Sequence, residues 1–178
     1  MALESAVNMY KILAVVGLVC AAGVVLVAGQ SGAPEKKDTG NISVKVVTRD
    51  ELKRLLLTFP NSVPLQRSEQ RKTLDVAGVS KDVIIYTLGQ RMRGDQRVAY
   101  KQHSNNWSEP NDVQLELDYP DVGIGSLISF VQVLVEQSNP QGQAYVIRGG
   151  IGQRYLTLVL EAVNTNRFSY EASIFGQD

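Results

Sequence analysis

The sequence is poor in the side chains that most often carry reaction chemistry or bind metals. Its 178 residues include one cysteine, Cys20, and one histidine, His103. Cys20 lies inside an apolar N-terminal run, so a mature chain that has lost this run contains no disulfide, thiolate metal site or cysteine nucleophile. A single histidine also narrows the choice of catalytic groups and of histidine-based metal sites. We therefore expect neither an enzyme nor a protein that needs a cofactor.

An excess of charge of one sign is also missing. The 18 basic residues balance the 18 acidic ones, so the formal net charge is zero. Nucleic-acid-binding proteins usually show a basic stripe, and electrostatic membrane binders show a polybasic cluster. Neither pattern is visible, so we expect no direct binding to nucleic acid, and membrane association only through an uncleaved leader. The expected partner is an unidentified protein or a small extracellular ligand.

A long apolar run is present near the N-terminus. Residues 12–29 are apolar, Lys11 precedes them and the polar residues 30–32 follow. The small residues Ala28 and Gly29 fit a signal-peptidase site, so we predict a signal peptide over residues 1–29 and secretion. The alternative is an uncleaved signal-anchor that leaves a single-pass membrane protein, because a run of this length is just long enough to span a bilayer. In both cases the rest of the chain faces the lumen or the exterior.

Two tripeptides have the sequence of N-glycosylation acceptors. They are Asn41-Ile42-Ser43 and Asn106-Trp107-Ser108. In a secreted chain such tripeptides receive glycans when they lie at the surface. We therefore predict glycosylation at Asn41 and Asn106.

Residues 30–76 are typical of a polar linker that contains one short amphipathic helix. Thr48 and Glu51 have the spacing of a capping box at a helix start. Apolar residues then recur at helical spacing, namely Leu52, Leu55, Leu56 and Phe59. The pattern predicts a helix that ends at Phe59-Pro60 and packs on the main domain. The polar and charged residues 61–73 predict a connector.

Residues 77–178 show the period-two alternation of β-strands, with turn residues between the alternating runs. In the clearest run, over residues 154–162, one face is apolar and consists of Leu156, Leu158, Leu160 and Ala162. Val159 is an apolar exception on the opposite face. Glycine, proline and asparagine clusters predict a hairpin tip at residues 90–95, a polar loop at 104–112 and a turn at 164–166.

The count is about seven strands, which matches the spacing of a β-sandwich or small barrel. No strand–helix–strand pattern is present, so a parallel nucleotide-binding sheet is disfavoured. The predicted fold class is all-β: an antiparallel β-sandwich with a short N-terminal helix and an N-terminal signal or anchor segment. Leu158 and Phe130 are predicted core residues.

One short motif invites an adhesive interpretation. Arg93-Gly94-Asp95 is the tripeptide that integrins bind on exposed loops. The alternative is an ordinary turn, in which Gly94 provides positive φ and Asp95 bonds the local backbone. A three-residue match arises easily by chance, so the turn is the better interpretation.

Other residue types that could carry chemistry have plainer explanations. Glu116 and Asp118 share one strand face and Asp121 follows, which would suit glycosidic acid–base catalysis or calcium, but solvated surface charge is the better explanation because exposed Asp and Glu are the norm. His103 precedes the Ser104–Asn106 segment without a nucleophile elbow. Gly149-Gly150-Ile151-Gly152 has no lysine and no following helix, so a β-turn is favoured over a phosphate loop. We predict no catalytic, cofactor-binding or metal site.

The C-terminal half contains a combination of short motifs, namely Leu88-Gly89, Gly94-Asp95, Gly142 with Ala144, Gly149-Gly150-x-Gly152 and Phe175-Gly176. In this combination the chain resembles the insect multiprotein bridging factor 2 family over about residues 77–176. The family takes its name from a transcriptional coactivator that bridges a DNA-bound factor and the basal machinery, although many similar chains carry a leader like this one. The resemblance therefore implies a coactivator by name and transfers no contact residue.

Three functions follow as hypotheses. The first is a secreted, glycosylated, non-enzymatic β-sandwich that binds a protein, glycan or small ligand outside the cell. The second is an intracellular, nuclear transcription coactivator, as the family name implies. The third is an extracellular hydrolase that uses Glu116 or Asp118.

Overall fold

The computed structural model describes residues 41–74 and 80–178. Within these ranges it contains one α-helix and eight β-strands. In chain order these are β1 (Ser43–Val46), α1 (Arg49–Thr58), β2 (Val63–Pro64), β3 (Gln66–Leu74), β4 (Ser80–Gly89), β5 (Gln96–Tyr119), β6 (Leu127–Gln137), β7 (Gly142–Gly149) and β8 (Leu156–Gln177). The predicted leader over residues 1–29 and the first part of the predicted linker lie outside the described residues.

A long antiparallel ribbon of β5 and β8 runs through the whole sheet. The two strands pair from Gln96 opposite Gly176 to Tyr119 opposite Leu156, with register shifts around residues 106–113. The first part of β8 pairs on its other side with β7, and the second part pairs with β6. The ribbon therefore belongs to two half-sheets, ordered β1-β5-β8-β7-β2 and β5-β8-β6-β4-β3. Strands that pass from one layer to the other in this way commonly do so at bulges.

The two half-sheets face each other across one core. Leu117, Leu158 and Leu160 come from the first half-sheet, whereas Val133 and Tyr170 come from the second, and all belong to one buried cluster. The prediction of an all-β, antiparallel sandwich is confirmed. The described part of residues 77–178 contains five long strands, β4–β8, rather than about seven, because two predicted breaks lie inside β5 and β8. Three further strands, β1–β3, form before residue 77.

Helix α1 confirms the amphipathic helix predicted from the capping box. Thr48 is the N-cap, its side chain accepts from the Glu51 N–H, and the Glu51 carboxylate accepts from the Thr48 N–H at 2.8 Å. The helix covers the outer face of the first half-sheet, where Leu52 packs with Val159 in a second buried cluster. Val159 is therefore apolar because the helix shields it from water, which explains its departure from the alternation.

Three local predictions are wrong. The predicted connector at 61–73 contains β2 and most of β3, because edge strands can be polar where no layer covers them. The predicted loop at 104–112 lies inside β5, and the predicted turn at 164–166 lies inside β8, where Asn164 has a φ of 53°. Apart from the half-buried Trp107, residues 104–112 of β5 are exposed, so the apolar alternation that signals a strand is missing.

The predicted hairpin tip at residues 90–95 is also different from expectation. It does join β4 to β5, but these strands do not pair with each other. β4 pairs with β3 and β6 instead. The connection therefore leads from β4 past β6 and β8 to β5, which is the edge strand of the second half-sheet. Local turn residues cannot reveal such a crossing.

One of the two named core residues is confirmed. Leu158 is 2% exposed. Phe130 is only half-buried, and the core prediction for it is wrong. A register shift between Ile128 and Phe130 sends Ile128 inward and leaves the Phe130 ring on the outer face, 5.9 Å from the ring of Phe175.

Candidate ligand-binding cleft

The β5–β8 ribbon shifts register over residues 106–113 of β5, which we call the bend, and a cleft opens there at one edge of the sandwich. β1 pairs with β5 only over Leu115–Asp118, so the earlier part of β5 has no strand beyond it among the described residues. The space between β1 and this free edge has a volume of about 330 Å³. Sites for small molecules usually have volumes of about 300–1,000 Å³. The cleft is thus large enough for a small ligand.

The walls of the cleft are mostly apolar and include three aromatic side chains. Phe168 and Tyr170 project inward from β8 and form its floor, with their ring centroids 6.0 Å apart. Trp107 is half-buried and packs against the core cluster from the bend of β5. The aliphatic lining consists of Val44, Val46, Val113 and Leu115. Val46 is 76% exposed, so part of this apolar wall is open to water.

Burial raises the pKa of the Tyr170 hydroxyl above its ordinary value. The side chain therefore stays neutral through the physiological pH range. A neutral floor is consistent with the binding of an apolar group.

The polar residues of the cleft lie around its mouth. They are Lys101, Gln102, His103, Asn105 and Asp112. Asp112 already has two partners, because its carboxylate pairs with the Arg49 guanidinium and accepts from the Asn164 N–H at 2.8 Å. Lys101 makes no ion pair within residues 41–74 and 80–178. The mouth therefore presents an uncompensated ammonium group.

His103, the single histidine, lies on β5 at this mouth and is exposed. In the part of the chain that the structure describes, no group of three or more histidine, cysteine, aspartate or glutamate side chains could hold a metal ion. The arrangement can bind an apolar molecule by contact and shape, and it brings no nucleophile–base pair together at the cleft.

The sequence could have pointed to Trp107, an aromatic residue inside an otherwise polar stretch. Val44 and Val46 carried no such signal, because they lie in a segment expected to be linker and reach the cleft only through the pairing of β1 with β5.

The Arg93-Gly94-Asp95 tripeptide lies in the connection between β4 and β5. The Asp95 side chain is 1% exposed and pairs with the Arg91 guanidinium at 2.7 Å. It also accepts from the Met92 N–H at 2.9 Å and from the Ser129 hydroxyl at 2.8 Å. Gly94 has a φ of 87°. The geometry favours the turn interpretation, since the carboxylate that an integrin would bind is occupied within the chain.

The candidate acidic residues are spread over separate environments. Glu116 and Asp118 do share the outer face of β5. Asp118 accepts from the Thr157 hydroxyl at 2.5 Å and lies 3.8 Å from the Arg148 guanidinium, whereas Glu116 lies in a groove beside α1 together with Lys45 and Arg54. Asp121 is exposed in the following loop. The hydrolase hypothesis gains no support from these partners.

Both predicted glycosylation sites are accessible. Asn41 and Asn106 are exposed, and Asn106 lies on β5 next to Trp107. A glycan on Asn106 would therefore stand near the cleft. Occupancy of either site stays a prediction.

A second apolar surface lies at the loop end of the sandwich. Two loops meet there, since the Arg154 guanidinium donates to the Gly125 carbonyl at 3.0 Å and the Gly152 N–H donates to the Ile128 carbonyl at 2.8 Å. The loops expose four large apolar side chains, namely Val122, Ile124, Ile151 and Tyr155. Exposed clusters of this kind often mark interaction surfaces.

The Gly149–Gly152 segment confirms the predicted turn. It joins β7 to β8, and three of its glycines have positive φ. A Cβ atom on Gly149 would lie 2.1 Å from the Tyr155 carbonyl oxygen, so no other residue fits there without a backbone shift. In the described part of the chain, no helix is long and apolar enough to cross a membrane.

Fold and cleft together define an all-β sandwich protein with a concave, aromatic-lined cleft. A model of the family described as transcription activator MBF2 matches residues 88–176, which is half of the chain. The chain belongs to this family, as the resemblance predicted. The match runs from the end of β4 through β8 and so contains the bent ribbon, but it leaves out β1, α1, β2 and β3. No curated protein and no solved structure matches the chain.

Proposed function

We propose that the protein is a secreted, non-enzymatic binding module that holds a small apolar ligand in the cleft between β1 and the bend of β5. The observation that carries the proposal is the aromatic and aliphatic lining around Trp107, Phe168 and Tyr170, which is partly open to water. Aromatic side chains with a few polar groups at the rim are typical of small-molecule sites.

Three further observations support an extracellular setting. The apolar run at residues 12–29 has the composition of a secretory signal. Asn41 and Asn106 are exposed, as N-glycan acceptors must be. The absence of any remaining cysteine after removal of such a leader fits a domain whose core is large enough to fold without disulfides.

Ligand binding can be measured directly because Trp107 is the single tryptophan of the chain. Titration with dodecanol, a neutral apolar probe, should change the Trp107 fluorescence and saturate. Val46→Asp places a charge on the exposed apolar wall and should weaken this binding about tenfold, since burying a valine stabilises by roughly 1.5 kcal/mol or more.

Val63→Asp is the matched control, because Val63 is also an exposed valine on a short edge strand but lies outside the cleft. This variant should bind dodecanol as the wild type does. Absence of a saturable change in the wild type, or equal weakening by both substitutions, would contradict the proposal.

A second candidate function is the transcription coactivator that the family description suggests. The exposed apolar loops with Ile124 and Ile151 would suit contact with another protein.

The secreted binding module and the coactivator differ in the compartment where the protein is found. A C-terminally tagged full chain expressed in insect cells should be found in the medium and lose mass on treatment with N-glycosidase. Full-length, unglycosylated protein in the nucleus would favour the coactivator.

A further inference from the structure

We propose that the ligand of this cleft is an amphipathic molecule with an anionic head, of the class of long-chain carboxylates or alkyl phosphates. This inference rests on the proposed function and names the chemistry of the ligand. In the bound state the apolar chain lies against Trp107, Phe168 and Tyr170, and the anionic head lies at the mouth beside Lys101.

The charges at the mouth of the cleft determine which charge the ligand's head group can carry. Asp112 is the acidic residue among those that line the cleft, and Arg49 already balances it. Lys101 lines the same cleft without an ion pair within the described residues. The net charge left for a ligand is therefore positive, which favours an anion over a cation.

Two acidic groups on the neighbouring strands β8 and β6 face away from the cleft. Glu171 is opposite Gln102 in the ladder, one position along from the inward-facing Tyr170. Neighbouring residues of a strand point to opposite faces, and Glu171 is exposed on the outer side. Glu136 on β6 lies on that outer side as well and is paired with Lys81 at 2.7 Å. Neither carboxylate competes with a ligand for Lys101.

The shape of the cleft places the two ends of the ligand. Phe168 and Tyr170 are each 2% exposed and form the closed end, so they suit a group without charge. Lys101 and His103 are exposed at the open end, where a head group keeps part of its hydration. Such a partly exposed ion pair contributes modestly, and we expect it to decide between ligands rather than to dominate affinity.

Four probes with the same alkyl chain separate the contribution of the head group from that of the alkyl chain. Each probe is used below its critical micelle concentration. Dodecanoate and dodecyl phosphate carry anionic heads, dodecanol a neutral one and dodecyltrimethylammonium a cationic one. By Trp107 fluorescence, we expect at least one anionic probe to bind about three- to fivefold more tightly than dodecanol, the size of a partly exposed ion pair. The ratio between the two anions tells a carboxylate ligand from a phosphate ligand.

The variant Lys101→Gln should bind all four probes with the affinity that wild type has for dodecanol, and Lys101→Glu should prefer the cationic probe. Lys53→Gln is the control, since Lys53 is an exposed lysine on α1 that does not line the cleft. Circular dichroism of each variant confirms that it is folded.

The outcomes separate the two proposals. Equal binding of the anionic probes and dodecanol, or an anionic preference that survives Lys101→Gln, overturns the head-group inference and leaves the apolar cleft in place. A preference of the wild type for the cationic probe overturns it too. If no probe binds, the proposed function itself fails.

Discussion

At the scale of single residues, Asp95 ties the β4–β5 connection to β6. Its hydrogen bond from the Arg91 side chain, together with those from the Met92 N–H and the Ser129 hydroxyl, holds the pKa of this carboxyl well below its ordinary value of 3.8, although burial opposes the shift. The Arg91 guanidinium also stacks 3.9 Å above the Phe175 ring. A buried carboxylate with this many donors is a structural element of the loop.

The lowered pKa of Asp95 predicts a pH-dependent contribution to stability. Because the unfolded carboxyl takes up a proton first as pH falls, the contribution is complete above the ordinary pKa of 3.8 and declines as pH drops toward the folded value. Asp95→Asn should therefore lower the melting temperature at neutral pH, and its difference from wild type should narrow below about pH 4. Asp121→Asn, at an exposed loop position, is the control. A difference for Asp95→Asn that stays constant down to about pH 2 would contradict this account.

Leu158 and Phe130 make a matched pair for testing the faces of the sandwich. Leu158→Ala removes a fully buried side chain from the shared core and should cost about 2–5 kcal/mol in the free energy of unfolding. Phe130→Ala removes a larger side chain that is only half-buried on the outer face, so it should cost less. Urea denaturation of both variants measures the difference. A greater loss for Phe130→Ala would mean that the faces are reversed.

At the scale of elements, helix α1 is attached to the first half-sheet by a few defined contacts. Its start is fixed by the Thr48 capping box and by the Arg49–Asp112 ion pair at the cleft mouth. Its apolar face packs on Val159 and Ile147. The helix thus shields the outer face of the half-sheet on whose other side the core lies.

Thr48→Ala should destabilise the helix start, since the Glu51 N–H loses its side-chain acceptor. Loss of such a cap costs about 0.5–2 kcal/mol. Thr48→Ser keeps the hydroxyl and should recover most of this loss in thermal unfolding followed by circular dichroism. Equal destabilisation by alanine and serine would show that the cap is not the source of the effect.

Elements with a covered face were predictable from the sequence, and those exposed on both faces were not. The run Leu156, Leu158, Leu160 alternates because one face meets the core, so its strand was evident. The stretch of β5 at residues 104–112 is exposed apart from the half-buried Trp107, so its polar sequence predicted a loop. Its strand conformation comes from hydrogen bonds to β8, which lies far away in the sequence.

At the scale of the whole molecule, the candidate site depends on topology. Trp107 was visible as an aromatic residue in a polar stretch, and Tyr170 as part of an alternating run. The wall formed by Val44 and Val46 was not predictable, because it requires β1 to pair with the distant strand β5. The family resemblance added no contact residue, and the segment that carries β1 lies outside the family match.

The measurement that tests the central claim most directly is a crystal structure of the protein with stoichiometric dodecanoate. The account predicts one ordered alkyl chain between β1 and the bend of β5, in contact with Trp107 and Tyr170, with its carboxylate at Lys101. A cleft closed by the protein's own side chains, or a ligand bound only elsewhere, would contradict the assignment of this cleft as the binding site.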